Sequence, residues 1–278
     1  MKSKNYKLKI CVVGCGAIGS RIAKAIHNDF KKDCRITGLY DIDQSKVDHL
    51  VKSLSLNINK EASLNELIKD CDCMVEAVNA QSTKNLIKKA LIAKKNVLAM
   101  SVGKILKAQD LFQLARKNKC HILLPSGAIA GLDAIKAASL ARIDHITLTT
   151  KKPPAGLMNN PYLAKKGIDL SNIRKETVLF EGDVDTAVHC FPQNINVAAT
   201  IALASQIRKN KKKIKIRIIT SPKFKTNSHE IEMIGEFGSL YTKTQNIACP
   251  DNPKSSYLAV LSGLQTLKQY CTGILIGT

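Results

Sequence analysis

The amino-acid sequence predicts an α/β fold in which a doubly wound parallel sheet precedes an α+β region. Short apolar runs alternate with amphipathic helical stretches as far as Pro125. Beyond that point the alternation stops, and three later segments alternate polar and apolar residues with the period of two that is typical of strands. The chain has 278 residues, of which 45% are hydrophobic and 23% charged, so it is long enough for two globular domains.

In the first half, each apolar run is too short for a helix and precedes a helical stripe. The expected strands are LKICVV, RITGLYD, CMVEAV, NVLAMSV and CHILLP. The expected helices between them are AIGSRIAKAIH, QSKVDHLVKSL, STKNLIKKALIAKK and AQDLFQLARKNK. Strands separated by helices of this length need right-handed crossovers, so these strands should form a parallel sheet.

In the second half, strands and helices follow no such alternation. The expected helices are GLDAIKAASLA, DVDTAVHCF, NVAATIALASQI and the terminal YLAVLSGLQTLKQYCTG. The expected strands are HITLTT, ETVLFEG, KIKIRIIT, SHEIEMIG and SLYTKTQN, and residues 151–175 are expected to form a long loop. The period-two alternation indicates one sheet that is covered on one face. The pattern leaves open on which domain the terminal helix packs.

A glycine-rich turn joins the first expected strand to the first helix. Gly14, Gly16 and Gly19 spell G-x-G-x-x-G. In a dinucleotide site the first glycine makes the tight turn, the second admits the pyrophosphate, and the third allows close packing of helix on strand. The N–H groups of Ala17, Ile18 and Gly19 at the helix start then face the phosphates. A glycine turn without a ligand is the alternative.

An acidic residue ends the second expected strand, in YDID. Asp41 lies 22 residues past Gly19, near the spacing of about 20 expected for an acid that binds a ribose. A carboxylate repels a 2′-phosphate and favours NAD over NADP, whereas Arg21 and Lys46 are close enough in sequence to weaken that preference. We therefore predict a Rossmann-type domain that binds NAD or NADP.

Small polar residues supply further candidate contacts. VNAQS (78–82) and SVGK (101–104) follow expected strands, where the ribose and nicotinamide of a cofactor can bind or where ordinary turns can lie. PSGAIAGLD (125–133) joins the two halves, and its glycines suit a ligand-binding backbone, a hinge, or both.

One histidine has a distinctive context, in TNSHEIE. His229 starts an expected strand after a polar loop, and a histidine can accept and return a proton near neutral pH. A structural histidine at a strand start is the alternative. The other histidines lie within expected helices or strands: His27, His49, His121, His145 and His189.

The composition argues against other classes of function. The nine cysteines show no zinc-ligand spacing, so we predict reduced thiols and no metal. The net charge of +21 permits nucleic-acid binding, but the lysines are spread along the chain and aromatic residues are only 4%. No apolar run approaches the about 20 residues of a membrane span, and the run before Cys15 is shorter than the roughly 7–15 residues of a secretory signal. We expect a cytoplasmic protein that binds neither nucleic acid nor membrane.

Several motifs together resemble those of the L-aspartate dehydrogenase family, and the likeness covers nearly the whole chain. These motifs are VVGCGAIG, VEAV, MSVGKI, LPSGAIAGLDAIKAA, TTKKPPAGL, LFEGDVDTAVHCFPQNINVAATIALA, TNSHEIEMIGEFG and NPKSSYLAVLSGLQTLK. The glycine motif is shared with many dehydrogenases, whereas PSGAIAGLD and FPQNINVAAT are specific to this family.

The resemblance implies a division of the chain and a set of site residues. Residues 1–126 would bind the dinucleotide, residues 127–249 would carry the substrate site and the dimer contact, and residues 250–278 would return to the dinucleotide domain and complete its sheet. The family's catalytic histidine falls on His229, accompanied by Asn227. Its cofactor contacts fall on Ala128 and on the asparagines of QNINVA, first Asn196 and then Asn194.

The implied reaction is the oxidation of L-aspartate by NAD or NADP, through iminoaspartate, to oxaloacetate and ammonium, as a supply for NAD biosynthesis. The substrate carboxylates need cationic or backbone donors, for which Lys151 and Lys152 are candidates. We also expect a homodimer, since a family-like central sheet would otherwise expose an apolar face. The alternatives are a dehydrogenase or reductase of the homoserine or dihydrodipicolinate class, and a non-catalytic NAD-binding regulator.

Overall fold

The chain forms two compact units. The computed structural model describes residues 7–78, 80–191, 195–205, 213–250 and 252–277. The first unit comprises Met1–Pro125 and Val260–Ile276, and the second comprises Ser126–Ala259 and Gly277–Thr278.

A parallel sheet forms the centre of the first unit. Its strands are β1 (Leu8–Val13), β2 (Cys34–Tyr40), β3 (Cys73–Glu76), β4 (Asn96–Ala99) and β5 (Ile122–Leu123), in the order β2-β1-β3-β4-β5. The connecting helices are α1 (Ala17–Asn28), α2 (Gln44–Ser53), α3 (Leu64–Asp70), α4 (Thr83–Ile92) and α5 (Gln109–Asn118). The predicted doubly wound fold is confirmed. The strand order reverses between β1 and β3, which is where open α/β sheets bind ligands.

Side chains alternate across β1 into two apolar cores. Ile10 and Val12 point into one core, whereas Cys11 and Val13 point into the other. Since all four residues are at most 1% exposed, β1 is buried on both faces, as the central strand of a doubly wound sheet must be.

Helix α3 was not predicted from the sequence, although a signal for it exists. The side chain of Ser63 accepts a hydrogen bond from the Glu66 N–H, and the Glu66 carboxylate accepts one from the Ser63 N–H. This reciprocal capping box fits the S-x-x-E pattern and supports a helix of only seven residues. Leu67 and Ile68 anchor it in the second core.

The C-terminal segment supplies a helix to the first unit, not the strand that the resemblance implied. In the described part of the chain, the strands of this sheet all lie between residues 8 and 123. Helix α10 (Tyr257–Thr272) buries Val260, Gly263 and Leu267, whose three- and four-residue spacing is helical. Leu267 joins the core that also contains Ile10 and Val12.

The second unit contains a mixed sheet with the order β10-β9-β6-β8-β7. These strands are β6 (Ile143–Lys152), β7 (Thr177–Asp183), β8 (Ile214–Thr220), β9 (Asn227–Gly235) and β10 (Gly238–Asn246). The pair β6–β8 is parallel and the other pairs are antiparallel. The helices are α6 (Leu132–Ala138), α7 (Pro161–Lys165), α8 (Val184–Cys190) and α9 (Asn196–Ala204). A small sheet that the sequence did not predict pairs β11 (Ala248–Cys249) with β12 (Asn252–Ser256).

The expected long loop at residues 151–175 was wrong in two respects. Strand β6 continues to Lys152, and α7 lies within the segment. Asn160 caps α7 by accepting hydrogen bonds from the N–H groups of Tyr162 and Leu163, and Pro161 occupies its first turn. A cap followed by proline is a helix-start signal that the low apolar content of the segment obscured.

The two faces of the second sheet differ in character. We call one the apolar face, on which the side chains at most 2% exposed include Ile146, Leu148, Ile216, Ile231 and Met233. The other, the charged face, carries two three-membered ion-pair groups: Lys151–Glu230–Lys243 and Lys215–Glu181–Arg217. The open surface therefore carries these charged groups together with the exposed side chains of Val178 and Tyr241.

Two further features are absent from the described residues, a membrane-spanning helix and a metal-binding cluster. None of their helices combines the length and the apolarity that crossing a membrane requires. They contain no group of three or more histidine, cysteine, aspartate or glutamate residues placed to hold a metal ion.

Candidate active site

The glycine turn between β1 and α1 needs two of its glycines for its own packing. Gly14 has φ +98°, in the left-handed region, and a Cβ added there would lie 2.7 Å from the Ala77 carbonyl oxygen. A Cβ added to Gly19 would overlap the carbonyl oxygen of Gly14. These two glycines therefore have a structural explanation whether or not a ligand binds.

Gly16 has no such structural requirement. Its φ of −70° suits any residue, and an added Cβ would meet no atom of the described residues within 4 Å. Gly16 is the N-cap of α1 and has no side chain that could accept a hydrogen bond. The N–H groups of Ala17 and Ile18 at the helix start therefore donate no hydrogen bond to a side chain of the N-cap residue. A phosphate at the positive end of the helix dipole, close against the Gly16 backbone, would explain the glycine. The turn thus fits a dinucleotide pyrophosphate.

Asp41 follows β2 and is tied to the glycine turn. Its Oδ2 accepts a hydrogen bond of 2.7 Å from the Cys15 N–H, and its Oδ1 accepts one of 3.0 Å from the Asp43 N–H. A carboxylate has about four acceptor positions, so it can still receive ribose hydroxyls. Lys46 Nζ lies 3.8 Å from Oδ1, which places a cation beside the carboxylate and weakens the discrimination against a 2′-phosphate.

A buried carboxylate that sequence reasoning missed organises the turns after β3 and β4. Glu76 is 0% exposed and accepts hydrogen bonds from the N–H of Val78, the hydroxyl of Thr83, and both the N–H and the hydroxyl of Ser101. These bonds hold the two turns in which the sequence placed candidate cofactor contacts. Asn79, in the first turn, lies outside the described residues. The available signal was a charged residue at the carboxyl end of an otherwise apolar strand.

At one end of the second sheet, the apolar face becomes polar. Thr150 and Lys152 continue that face along β6, and His229 and Asn227 continue it along β9, because alternate residues of a strand share a face. Thr150 is paired with His229 in the β6–β9 ladder, and its Oγ1 lies 3.0 Å from His229 Nδ1. We call Thr150, Lys152, Asn227 and His229 the polar corner.

The polar corner keeps His229 neutral. The ring is 5% exposed, and burial, with a smaller contribution from the Lys152 ammonium, lowers its pKa from 6.5 to about 3. The ring can accept a proton at Nε2 when its Nδ1–H donates to Thr150 Oγ1. The arrangement therefore holds a neutral ring whose Nδ1 is fixed by a hydrogen bond and whose Nε2 is the acceptor. Burial alone makes that nitrogen a weak base, and the negative charge of a substrate beside the ring would raise its pKa.

The two candidate lysines lie on opposite faces of β6. Lys151 Nζ is 3.2 Å from Glu230 Oε1 on the charged face. Lys152 belongs to the polar corner, and burial lowers the pKa of its amine from 10.5 to about 8. The position that a Cβ of Gly156 would occupy is 3.8 Å from Asn227 Oδ1 and 3.8 Å from Lys152 Cδ, so the turn Pro154–Leu157 packs over both side chains.

Ala128 is anchored beside the polar corner. Its carbonyl oxygen accepts hydrogen bonds from Thr244 Oγ1 at 2.8 Å and Asn246 Nδ2 at 3.0 Å. In the β9–β10 ladder, Thr244 pairs with His229 and Asn246 pairs with Asn227. The structure thus brings together three residues that the resemblance selected from distant segments of the second unit.

Of the two asparagines of QNINVA, the structure describes only Asn196. Asn196 is exposed and begins α9, where its carbonyl oxygen accepts a hydrogen bond of 2.9 Å from Thr200 Oγ1. Asn194 lies outside the described residues.

Two family models match the chain in succession. The NAD-binding domain of homoserine dehydrogenase matches residues 14–125. The C-terminal model of aspartate dehydrogenase matches residues 133–270, which include the polar corner.

Full-length relatives are L-aspartate dehydrogenases. The enzyme of Methanosarcina mazei is 42% identical over 98% of this chain and 100% of its own length. The enzyme of Methanococcus maripaludis strain C7 is 39% identical, with the same coverage of both chains.

Solved structures share the fold. A crystal structure of aspartate dehydrogenase from Thermotoga maritima matches with a TM-score of 0.72 and 24% identity, over 98% of this chain and 100% of that one. A homoserine dehydrogenase from Thiobacillus denitrificans matches with a TM-score of 0.61 and 11% identity, over 96% and 73%.

Proposed function

The chain belongs to the aspartate dehydrogenase family, and from that premise we propose that it oxidises L-aspartate with NAD or NADP. L-aspartate, the oxidised cofactor and water give oxaloacetate, ammonium, the reduced cofactor and a proton, by way of iminoaspartate. The observation that carries the proposal is the polar corner, where a neutral, buried histidine and a lysine share one face of a sheet.

The first unit holds the cofactor in this proposal. The glycine turn, Gly14 to Gly19, receives the pyrophosphate, and Asp41 receives a ribose. When bound, the cofactor supplies the hydride acceptor for the substrate Cα–H. Ala128, Asn196 and Asn194 remain assigned to the cofactor through the family resemblance. Asp41 favours NAD, and Lys46 beside it reduces that preference.

His229 moves the proton. Its Nε2 takes a proton from the substrate ammonium or from the water that attacks the imine, while Thr150 holds the ring through Nδ1. Asn227, two residues away on the same face of β9, binds the substrate or orients the His229 ring in this proposal. Burial of the corner excludes bulk water from the ring.

The experiment measures formation of the reduced cofactor with four amino acids: L-aspartate, L-homoserine, L-alanine and L-glutamate, each with NAD and with NADP. We expect turnover of L-aspartate, with NAD at least as effective as NADP. His229→Ala and His229→Asn should both lower kcat by about 10²–10⁴-fold while NAD binding is retained.

Several results would contradict the proposal. Oxidation of L-homoserine in place of L-aspartate would move the protein to the homoserine class, whose NAD-binding domain model matches residues 14–125. If none of the four substrates reacts while NAD still binds, the non-catalytic regulator becomes the better interpretation. A strong preference for NADP would overturn the role given to Asp41.

We also propose that the protein acts in the cytoplasm as a homodimer and supplies iminoaspartate for NAD biosynthesis. The family resemblance is the support for all three statements. A dimer that used the open surface of the second sheet would have to pair the Lys151–Glu230–Lys243 group with charges of a second copy.

A further inference from the structure

Lys151 and Lys152 are adjacent in sequence, but they have different environments. Lys151 forms an ion pair with Glu230 on the charged face, and the same carboxylate also contacts Lys243 at 3.2 Å. Lys152 lies on the other face, and its partner residue on the neighbouring strand β8 is Thr220. The Thr220 hydroxyl donates a hydrogen bond of 2.8 Å to the Lys152 carbonyl oxygen. Strand β6 therefore places Lys152, but not Lys151, on the face of the sheet that carries His229.

The stem of Lys152 is held in place. Its Cβ and Cδ both lie 3.8 Å from the position that a Cβ of Gly156 would occupy, so the turn Pro154–Leu157 packs along the aliphatic part of the side chain. A stem packed in this way restricts the positions open to the amine, and less rotamer freedom is lost when the amine binds a ligand.

The Lys152 amine interacts electrostatically with the His229 ring. The Lys152 ammonium contributes to the lowered pKa of His229, so the two groups are close enough to interact through space. Burial lowers the pKa of the amine itself to about 8, so the charged form still predominates at neutral pH. A substrate carboxylate within reach of the ammonium would accept a charge-assisted hydrogen bond from it.

We propose that Lys152 binds a carboxylate of the substrate and thereby selects amino acids with two carboxylates. The assignment rests on the proposed function, since it concerns the same site. Asn227 Oδ1 and Lys152 Cδ each lie 3.8 Å from the position that a Cβ of Gly156 would occupy, so the Asn227 amide and the Lys152 stem lie beside the same turn. His229 lies two residues from Asn227 on the same face, where the amine of that substrate would be deprotonated.

The test compares Lys152→Met with Lys151→Met as its matched control. Methionine keeps an unbranched apolar stem and removes the charge, and the control removes the same charge one residue away on the opposite face. Four quantities are measured for each protein: the KM and the kcat for L-aspartate, the inhibition constant of succinate against L-aspartate, and the Kd of NAD. Lys152→Arg, which keeps a cation, is the third variant.

Loss of a charge-assisted hydrogen bond should raise both the KM for L-aspartate and the inhibition constant of succinate by about 10- to 100-fold in Lys152→Met. In Lys151→Met both should stay within about twofold, because the Lys151 side chain lies on the opposite face of the sheet and Glu230 keeps its contact with Lys243. Lys152→Arg should bind succinate more tightly than Lys152→Met. The Kd of NAD should be unchanged throughout.

Equal effects of the two methionine variants would overturn the assignment. So would a fall in kcat for Lys152→Met without a change in succinate inhibition, because that result would make Lys152 a proton carrier. If Lys152→Met does not fold, Lys152→Gln replaces it under the same criteria. Succinate binding to the NAD-loaded parent is measured by calorimetry as well: Lys152-dependent binding without L-aspartate turnover would refute the proposed function and keep the Lys152 assignment.

Discussion

Burial of His229 should make the stability of the second unit depend on pH. The folded ring has a pKa of about 3 because it is desolvated and lies near the Lys152 ammonium, whereas an unfolded histidine titrates near 6.5. Between about pH 3 and about pH 6.5, His229 therefore carries one proton more in the unfolded chain than in the folded chain. The stabilising contribution of the neutral ring is therefore fully present above about pH 6.5 and is lost as the pH falls toward 3.

The size of the effect follows from that one proton. Each pH unit within the window changes the free energy of unfolding by up to about 1.4 kcal/mol. Between about pH 6 and about pH 5 the unfolded ring is mostly protonated, so His229 alone should lower the free energy of unfolding by about 1 kcal/mol. His229→Gln keeps a hydrogen-bonding side chain near Thr150 Oγ1 and removes the titration.

Urea unfolding followed by circular dichroism, at about pH 6 and about pH 5, gives the two free energies for each protein. His145 is exposed on β6 of the same sheet, so His145→Gln makes the same chemical change without removing a buried ring. We expect the parent and His145→Gln to lose about 1 kcal/mol more than His229→Gln over this pH interval. An equal loss in all three proteins would show that the ring is not kept neutral by burial, and the argument for a neutral proton acceptor would fail with it.

Two further predictions concern the cofactor turn and the assembly. Gly16→Ala should change the free energy of unfolding by no more than about 1 kcal/mol, because the new Cβ meets no described atom, but it should weaken NAD binding at least about tenfold. Gly19→Ala, whose Cβ would overlap the Gly14 carbonyl oxygen, should instead destabilise the fold by about 1–3 kcal/mol. Unchanged NAD affinity in the folded Gly16→Ala protein would refute the pyrophosphate site. Light scattering at micromolar concentration should give the mass of a dimer, and a monomer mass would contradict the proposed assembly.

Local patterns predicted the first unit well because its signals are local. The strand, the glycine turn and the helix that begins at Ala17 are contiguous in sequence, and Asp41 is reached after one more strand. Glu76 escaped notice because its importance lies in hydrogen bonds to Val78, Thr83 and Ser101, which belong to turns after different strands. A single sequence shows that a carboxylate ends an apolar strand, but not how many donors surround it.

The second unit shows where such reasoning stops. In HITLTTKK, the apolar residues Ile146 and Leu148 are even-numbered, so the alternation already assigns Lys152 to the apolar face and Lys151 to the other, provided that the strand reaches that far. The expected strand ended at Thr150, and strand ends are the least reliable part of a sequence-based assignment. An error of two residues at one end therefore left both lysines as equal candidates.

The pairing of Thr150 with His229 has no local signal at all, because 79 residues separate them. The same parity applies on β9, where Ile231 and Met233 place His229 on the apolar face, but parity cannot show which strands are neighbours or in what register. A shift of one residue in the β6–β9 register would place His229 opposite Thr149 or Lys151, whose side chains lie on the charged face. The chemistry of the polar corner thus depends on long-range register, and that register is what turns a histidine at a strand start into a buried, neutral proton acceptor beside a cation.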